Sequence, residues 1–326
     1  MKNILITGIT GQDGIFLTSE ILKNQPNHNI VGITRQKSNR NFFNKLCTLI
    51  NNTTDKVNLL NVNLNDLNEV KNLIIKIKPE SIYNLSGPSS VYDSFTNPNE
   101  SKYLIKNIFD NLTNSVIQSG VYSNFYQASS SEMFGYKSNK PLDESSTFSP
   151  NSPYAEAKLR NHKKALELSK KYDWNIFSGI MFNHESQFRE DRYLFMKVID
   201  GAFSIKNKKI KKLTLGSLDY VRDWSFAGDI SKAIHSITNN GCSDSYVIGS
   251  GEGHSIKKLV EIVFSNFGLD FNKYIEIDET LIRKGDPKSI ISNPRKIRDE
   301  LGWSNNVYFE DLVQICLKSR INNLKS

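Results

Sequence analysis

Tyr154 and Lys158 stand four residues apart, a spacing that puts both side chains on one face of a helix. A phenol that titrates near about 10 is a poor base at neutral pH, but a lysine ammonium beside it favours the phenolate. Upstream lies the run Ser129-Ser130-Ser131-Glu132-Met133-Phe134-Gly135. A hydroxyl from it, Ser130, can bind the same substrate oxygen as Tyr154. Ser130, Tyr154 and Lys158 can then take the proton from an alcohol while hydride leaves its carbon for a nicotinamide. A Tyr-x-x-x-Lys pair alone recurs by chance, so the reading rests on what surrounds it.

That chemistry needs a hydride carrier, and the N-terminus offers a place for one. An apolar strand-like run, Lys2–Thr7, leads into Thr7-Gly8-Ile9-Thr10-Gly11-Gln12-Asp13-Gly14 just as a helical pattern begins. Glycines at 8, 11 and 14 permit a tight turn and close approach of backbone amides, together with Thr10, Gln12 and Asp13, to a pyrophosphate at a helix N-terminus. The second strand ends in Thr34-Arg35-Gln36-Lys37. An acidic residue there suits NAD, whereas Arg35, helped by Ser38 or Arg40, suits the 2′-phosphate of NADP.

The elements that must position these groups alternate. Strands are expected at Lys2–Thr7, Asn29–Thr34, Val57–Val62, Ser81–Leu85, Tyr122–Ala128 and Trp174–Phe182. Helices are expected at Gly14–Lys23, Asp66–Ile77, Glu100–Ser119 and Ser152–Lys171, the last with Pro153 in its first turn. Such alternation argues for an α/β fold, a Rossmann-type doubly wound parallel sheet over residues 1–180. Residues 181–326 are less regular and read mainly as a smaller C-terminal substrate-binding lobe, with a segment near 215–250 returning to the first domain.

Composition excludes several classes. The 326 residues hold no apolar run near the roughly 20 residues of a membrane span. The opening MKNILITG resembles a strand more than a leader, so the cytoplasm is the expected setting. Cys47, Cys242 and Cys316 show no paired spacing, which supports neither a disulfide framework nor a metal site. The net charge of +8 (42 basic minus 34 acidic residues) is scattered. It favours phosphate-rich ligands over a nucleic-acid partner.

Together these segments resemble the extended short-chain dehydrogenase/reductase superfamily and, more narrowly, the GDP-mannose 4,6-dehydratase family. The resemblance runs through Ile6–Gly14, Phe125–Gly135, Ser152–Tyr154, Gly179–Ser186, Leu215–Asp219, Arg222–Trp224 and Leu301–Trp303, in order along nearly the whole chain. It implies a 4,6-dehydratase acting on a GDP-hexose through a recycled NADP. Glu132 would remove the carbon-5 proton and assist loss of the carbon-6 hydroxyl. Ser130 stands where the family usually has threonine. Ser131 replaces an aspartate that some sugar dehydratases use as a separate acid, so one carboxyl would do both jobs.

The same resemblance places Asn63, Leu64, Leu85, Gly87, His184 and Arg189 at the cofactor. It places Ser90, Ser131, Asn183, Lys197, Arg222 and Arg283 at the nucleotide sugar, and it implies a homodimer or homotetramer. The chain departs from the family pattern at Asn63, Pro88, Ser90, Glu100, Asp110-Asn111, Gln187–Glu190 and Lys284. These changes lie around the sugar and cofactor pockets and leave the catalytic set nearly untouched. The smaller Ser90 would leave room for an enlarged sugar such as a manno-heptose. The competing readings are an epimerase or 4-keto reductase on the same scaffold and, more remotely, a non-catalytic NADP-binding sensor.

Overall fold

Apolar runs too short for helices, each flanked by an amphipathic stretch, build the first half of the chain. The structure is a computed structural model that describes residues 2–35, 40–50, 54–135, 140–282 and 285–323. β1 (Lys2–Thr7) passes through the glycine-rich turn into α1 (Gln12–Asn24), and β2 (His28–Ile33) lies parallel to β1. α2 (Arg40–Cys47) and β3 (Val57–Leu60) follow, then α3 (Leu67–Ile77), whose first amides are capped by the Asp66 carboxylate. β4 (Ser81–Asn84) leads to α4 (Val91–Thr96) and to the long α5 (Pro98–Ser119), which Gly120 closes. β5 (Asn124–Ser130) runs into a 3-10 turn, Ser131–Phe134. α6 (Pro153–Tyr172), capped by Ser152, and β6 (Ile176–Met181) complete this half. Strands buried on both faces are what a parallel sheet covered by helices requires.

The chain then builds a second layer. β7 (Asn183–Glu185), α7 (Leu194–Lys206), β8 (Leu213–Leu215), β9 (Val221–Arg222) and β10 (Trp224–Phe226) leave the large sheet. α8 (Ala227–Asn240) and β11 (Ser245–Ile248) return to it: α8 packs on α1, and β11 pairs with β6. β12 (His254–Ser255), α9 (Ile256–Asn266), α10 (Phe271–Tyr274), β13 (Ile275–Ile277), β14 (Ser289–Ile290), α11 (Arg295–Leu301) and α12 (Phe309–Asn323) follow. The seven-stranded parallel sheet has the order β11-β6-β5-β4-β1-β2-β3. Its order reverses between β1 and β4, and the crevice at the carboxyl ends there is where such sheets hold ligands.

Two differences from the sequence reading bear on the site. β5 ends two residues later than expected, because Ser129 and Ser130 pair with Ile180 and Met181 of β6. Ser130 is therefore the last residue of a rigid strand. The returning segment is also shorter than 215–250. β8 pairs with β13 and β9 with β12 and β14, so within that segment α8 and β11 go back to the large sheet, where α11 later packs on both.

The smaller lobe has its own core, with Phe195, Ile199, Leu259, Val263 and Leu312 fully buried and Trp224 stacked on Phe309. Each such side chain contributes about 1.5–3 kcal/mol of burial. Asp223, fully buried beside Trp224, accepts hydrogen bonds from the backbone and hydroxyl of Ser250, the amide of Gly251, and the backbone and hydroxyl of Ser292. That carboxylate ties β9 to two distant loops. Its full set of partners is what makes a buried charge tolerable.

Candidate active site

The catalytic candidates come from three adjoining elements. Ser130 ends β5, Glu132 sits in the following 3-10 turn, and Tyr154 and Lys158 occupy the first two turns of α6. The Ser130 hydroxyl accepts from the Glu132 amide at 3.3 Å, which fixes the carboxyl just beyond the strand end. Burial pushes the Tyr154 phenol up from its ordinary range, and a hydrogen bond from the Ser130 hydroxyl partly offsets it; Glu132 is close enough to add to the rise. The Lys158 ammonium lies 5.7 Å from the centroid of the Tyr154 ring and donates to the Ala128 carbonyl at 3.0 Å. Burial pushes Lys158 down to about 8, against the pull of the Asp13 carboxylate. The structure thus gathers all four into one cleft.

A buried polar chain supports that lysine from below. The Gln127 amide donates to the same Ala128 carbonyl at 2.9 Å. Its oxygen accepts from Asn84 at 2.8 Å, and Asn84 accepts in turn from the Thr7 hydroxyl at 2.9 Å. The three residues are register partners on β1, β4 and β5, all at most 2% exposed. Satisfied networks of this kind rigidify the site they reach. The sequence reading missed Asn84 and Gln127; polar residues inside apolar strand runs were the available signal.

The cofactor turn has the features that a pyrophosphate requires. Gly8 adopts φ +72, and a Cβ there would meet the Leu85 carbonyl oxygen at 2.9 Å. A Cβ on Gly14 would fall 2.4 Å from the Ile9 carbonyl oxygen, so neither position admits a side chain. Gly11 caps α1 without a side-chain hydrogen bond, leaving the first amides of the helix for a ligand. Thr10 is half-buried beside them. Arg35 is exposed just past β2, and Ser38 lies outside the described residues.

Gln12 and Asp13 bind β7 and the residue that follows it. Gln12 donates to the His184 carbonyl and accepts from the Ser186 hydroxyl. The His184 ring faces an acceptor on each side, the Phe182 carbonyl at 2.7 Å and Asp13 at 3.0 Å. Burial opposes ionisation of Asp13, but His184 and Arg189 outweigh it and hold its pKa down at about 2. Burial likewise opposes the charged His184, yet Asp13 prevails and raises it. With both ring nitrogens engaged, His184 pins two segments together.

This pair gives a first prediction. A depressed carboxylate contributes stability above its unfolded pKa and loses it as pH falls through the folded one. A raised histidine contributes below its unfolded pKa of about 6.5 and loses it as pH rises through the folded value. The pair therefore stabilises most between about pH 4 and 6.5. The melting-temperature gap between wild type and Asp13→Asn is expected to be wider at pH 6 than at pH 8.5. Equal gaps at both pH values would refute the ion pair.

The remaining candidates fall into three groups. Gly87, at φ +130, and Leu85 line the switch-point crevice. Asn63 and Leu64 are anchored from α5, where Asn111 binds the Leu64 carbonyl at 2.9 Å. Asn183 is half-buried on β7, and Ser131 is buried in the 3-10 turn. Arg189 pairs with the buried Glu185 at 3.1 Å. Lys197 is exposed on α7 and reaches the Thr214 carbonyl at 3.1 Å, lining an open depression of about 410 Å³.

Two expectations are modified. The Ser90 hydroxyl accepts from the Asp93 amide and so caps α4. Arg222 is 7% exposed, with its guanidinium on Asp286 and on the Val221 and Pro287 carbonyls, because β9 and β14 bury it beside that loop. Arg283 lies outside the described residues. Among the described residues no group of three His, Cys, Asp or Glu could hold a metal ion, and no helix is long and apolar enough to cross a membrane.

Comparisons with known proteins agree with this geometry. The family profile described as GDP-mannose 4,6 dehydratase matches residues 5–316. GDP-mannose 4,6 dehydratase 2 of Arabidopsis thaliana is 33% identical over 321 residues, covering 96% of this chain and 85% of that protein. Among solved structures, a UDP-glucose 4-epimerase of Thermotoga maritima with UDP-glucose aligns with a TM-score of 0.85 at 18% identity, covering 99% of both chains. A dTDP-glucose 4,6-dehydratase of Bacillus anthracis in complex with NAD aligns with a TM-score of 0.84 at 19% identity, covering 100% of this chain and 98% of that one.

Proposed function

The chain belongs to the GDP-mannose 4,6-dehydratase family, and from that premise we propose that it removes water from a GDP-hexose, with NADP as a recycled hydride carrier, to give the 4-keto-6-deoxy sugar nucleotide. The observation that carries this reading is Glu132, whose amide is held by the Ser130 hydroxyl and whose carboxylate is near enough to Tyr154 to raise its pKa. A plain epimerase or reductase has less need of a carboxyl there. The uncapped α1 terminus and the side-chain-free Gly8 and Gly14 fit a pyrophosphate. Arg35 favours the 2′-phosphate of NADP.

When bound, the nicotinamide would accept the hydride from sugar carbon 4 and return it to carbon 6. Tyr154 takes the proton of the 4-hydroxyl, and Ser130 holds the same oxygen. The Lys158 ammonium, anchored on the Ala128 carbonyl, stabilises the phenolate that Tyr154 becomes. Glu132 removes the carbon-5 proton, which the neighbouring ketone has made acidic, and passes it to the departing carbon-6 hydroxyl. Ser131 precedes it where a second acid would stand, so one carboxyl performs both transfers. Asn183, Lys197, Arg222 and Arg283 are assigned to the nucleotide diphosphate, for which cations offer charge-assisted bonds. Arg222 has to loosen from Asp286 to serve there.

Ser90, small and turned to capping α4, supports an enlarged hexose such as a GDP-manno-heptose. A homodimer through α5 and α6, or a tetramer using the Arg35–Arg40 region, is the matching assembly. Mass spectrometry tests the reaction: purified protein is incubated with GDP-mannose or a GDP-manno-heptose without added reductant. A product lighter by the mass of one water is expected, and the faster substrate names the sugar. Turnover that instead requires stoichiometric NADPH would establish a reductase.

A further inference from the structure

The segment between β7 and α7 does more than carry Arg189. Tyr193, the residue before α7, places its hydroxyl 2.8 Å from the hydroxyl of Ser89, in the loop after β4. One residue earlier, Arg192 reaches across the same gap to Asp93 of α4 at 2.7 Å. The Tyr193 ring is held from its other face by the Arg189 guanidinium, centred 3.5 Å from the ring centroid. Glu185 in turn holds Arg189. Two rims of the cleft, β4–α4 and β7–α7, are therefore joined at two points. Tyr193 and Arg189 both lie near enough to the Tyr154 phenol to act on it electrostatically, which sets the clasp on the side of that tyrosine.

Resting on the dehydratase reading, we propose that Tyr193 and Ser89 form the hydroxyl pair that recognises the 2- or 3-hydroxyl of the sugar, making Tyr193 a specificity-determining residue. In such a pair one hydroxyl donates to the other, and the Tyr193 oxygen also accepts from Arg192 at 3.4 Å, which leaves one proton and two lone pairs for a ligand. A sugar alcohol both donates and accepts and matches that arrangement. The hydroxyls at carbons 4 and 6 are taken by Tyr154 and Glu132, so those at carbons 2 and 3 are left to be read. Ser89, and not Ser90, supplies the serine, because the oxygen of Ser90 is engaged by the Asp93 amide. The ring of Tyr193 is fixed by Arg189 before any sugar arrives, so little ordering remains to be done on binding.

The test crosses enzyme variants with substrate variants. Wild type, Tyr193→Phe and Ser89→Ala are assayed on the nucleotide hexose that wild type turns over and on its 2-deoxy and 3-deoxy analogues. Bound NADP and melting temperature are measured as controls for folding. Wild type is expected to lose about tenfold in kcat/KM on one of the two analogues, the scale of one hydrogen bond. In Tyr193→Phe that discrimination falls to about twofold, with KM for the full substrate raised more than kcat is lowered and bound NADP unchanged. Ser89→Ala changes the same discrimination, and the double variant adds nothing further. Discrimination that stays equal in wild type and Tyr193→Phe overturns the assignment while leaving the dehydratase intact. Wild type that turns over no nucleotide hexose overturns both, and the wild-type arm alone reveals it.

Discussion

Glu132→Gln is expected to abolish the product lighter by one water, with turnover reduced by about 10²- to 10⁴-fold, the usual range for one positioned acid–base group. The amide keeps the size of the carboxyl and its place beyond Ser130, but it cannot take the carbon-5 proton or deliver it to the leaving hydroxyl. Ser131 offers no substitute acid in the preceding position. Because the substitution lies at the end of β5, away from the glycine-rich turn, bound NADP should be retained. That separates lost chemistry from lost cofactor. A variant that still dehydrates within tenfold of wild type would reassign the proton transfer to another group.

The second large effect concerns pH. Lys158 is pushed down to about 8 by burial, with Asp13 opposing. In the proposed mechanism its ammonium stabilises the Tyr154 phenolate, so activity would depend on a proton that leaves as pH rises through that value. A fall in kcat/KM is expected above about pH 8. In Lys158→Arg, whose guanidinium stays charged, the fall should move to more alkaline pH even though the altered geometry lowers the rate overall. The stability change runs the other way. The folded pKa lies below the unfolded one of about 10.4. The charged lysine is therefore a cost that is fully present below about pH 8 and is relieved as pH rises between the two values. A profile flat through pH 9 in the wild type would remove Lys158 from the phenolate-stabilising role.

Much of this was legible in the residues. Period, glycine spacing and the Tyr154–Lys158 interval are local signals, and they located the turn, the parallel strands and the reacting pair. What escaped depends on partners far apart in the chain. α4 is only six residues long, too short to show a helical period, so the capping role of Ser90 was not legible. The pairing of Arg222 with Asp286, 64 residues later, has no local signature either. Thr7, Asn84 and Gln127 are unremarkable polar residues until β1, β4 and β5 set them side by side. The Tyr193–Ser89 bridge spans 104 residues and has no local signature.

The path of the chain also constrains how such an enzyme can change over generations. It leaves the large sheet after β6, returns for α8 and β11, and leaves again, while Asp223 fastens β9 to loops on the far side of that return. A single crossover after β6 would therefore exchange the smaller lobe only together with α8 and β11, and so also change what packs on α1 and β6. Point substitutions avoid that disturbance, and residues such as Pro88, Ser90 and Tyr193, which lie outside the large sheet, are where they can accumulate without unseating β5.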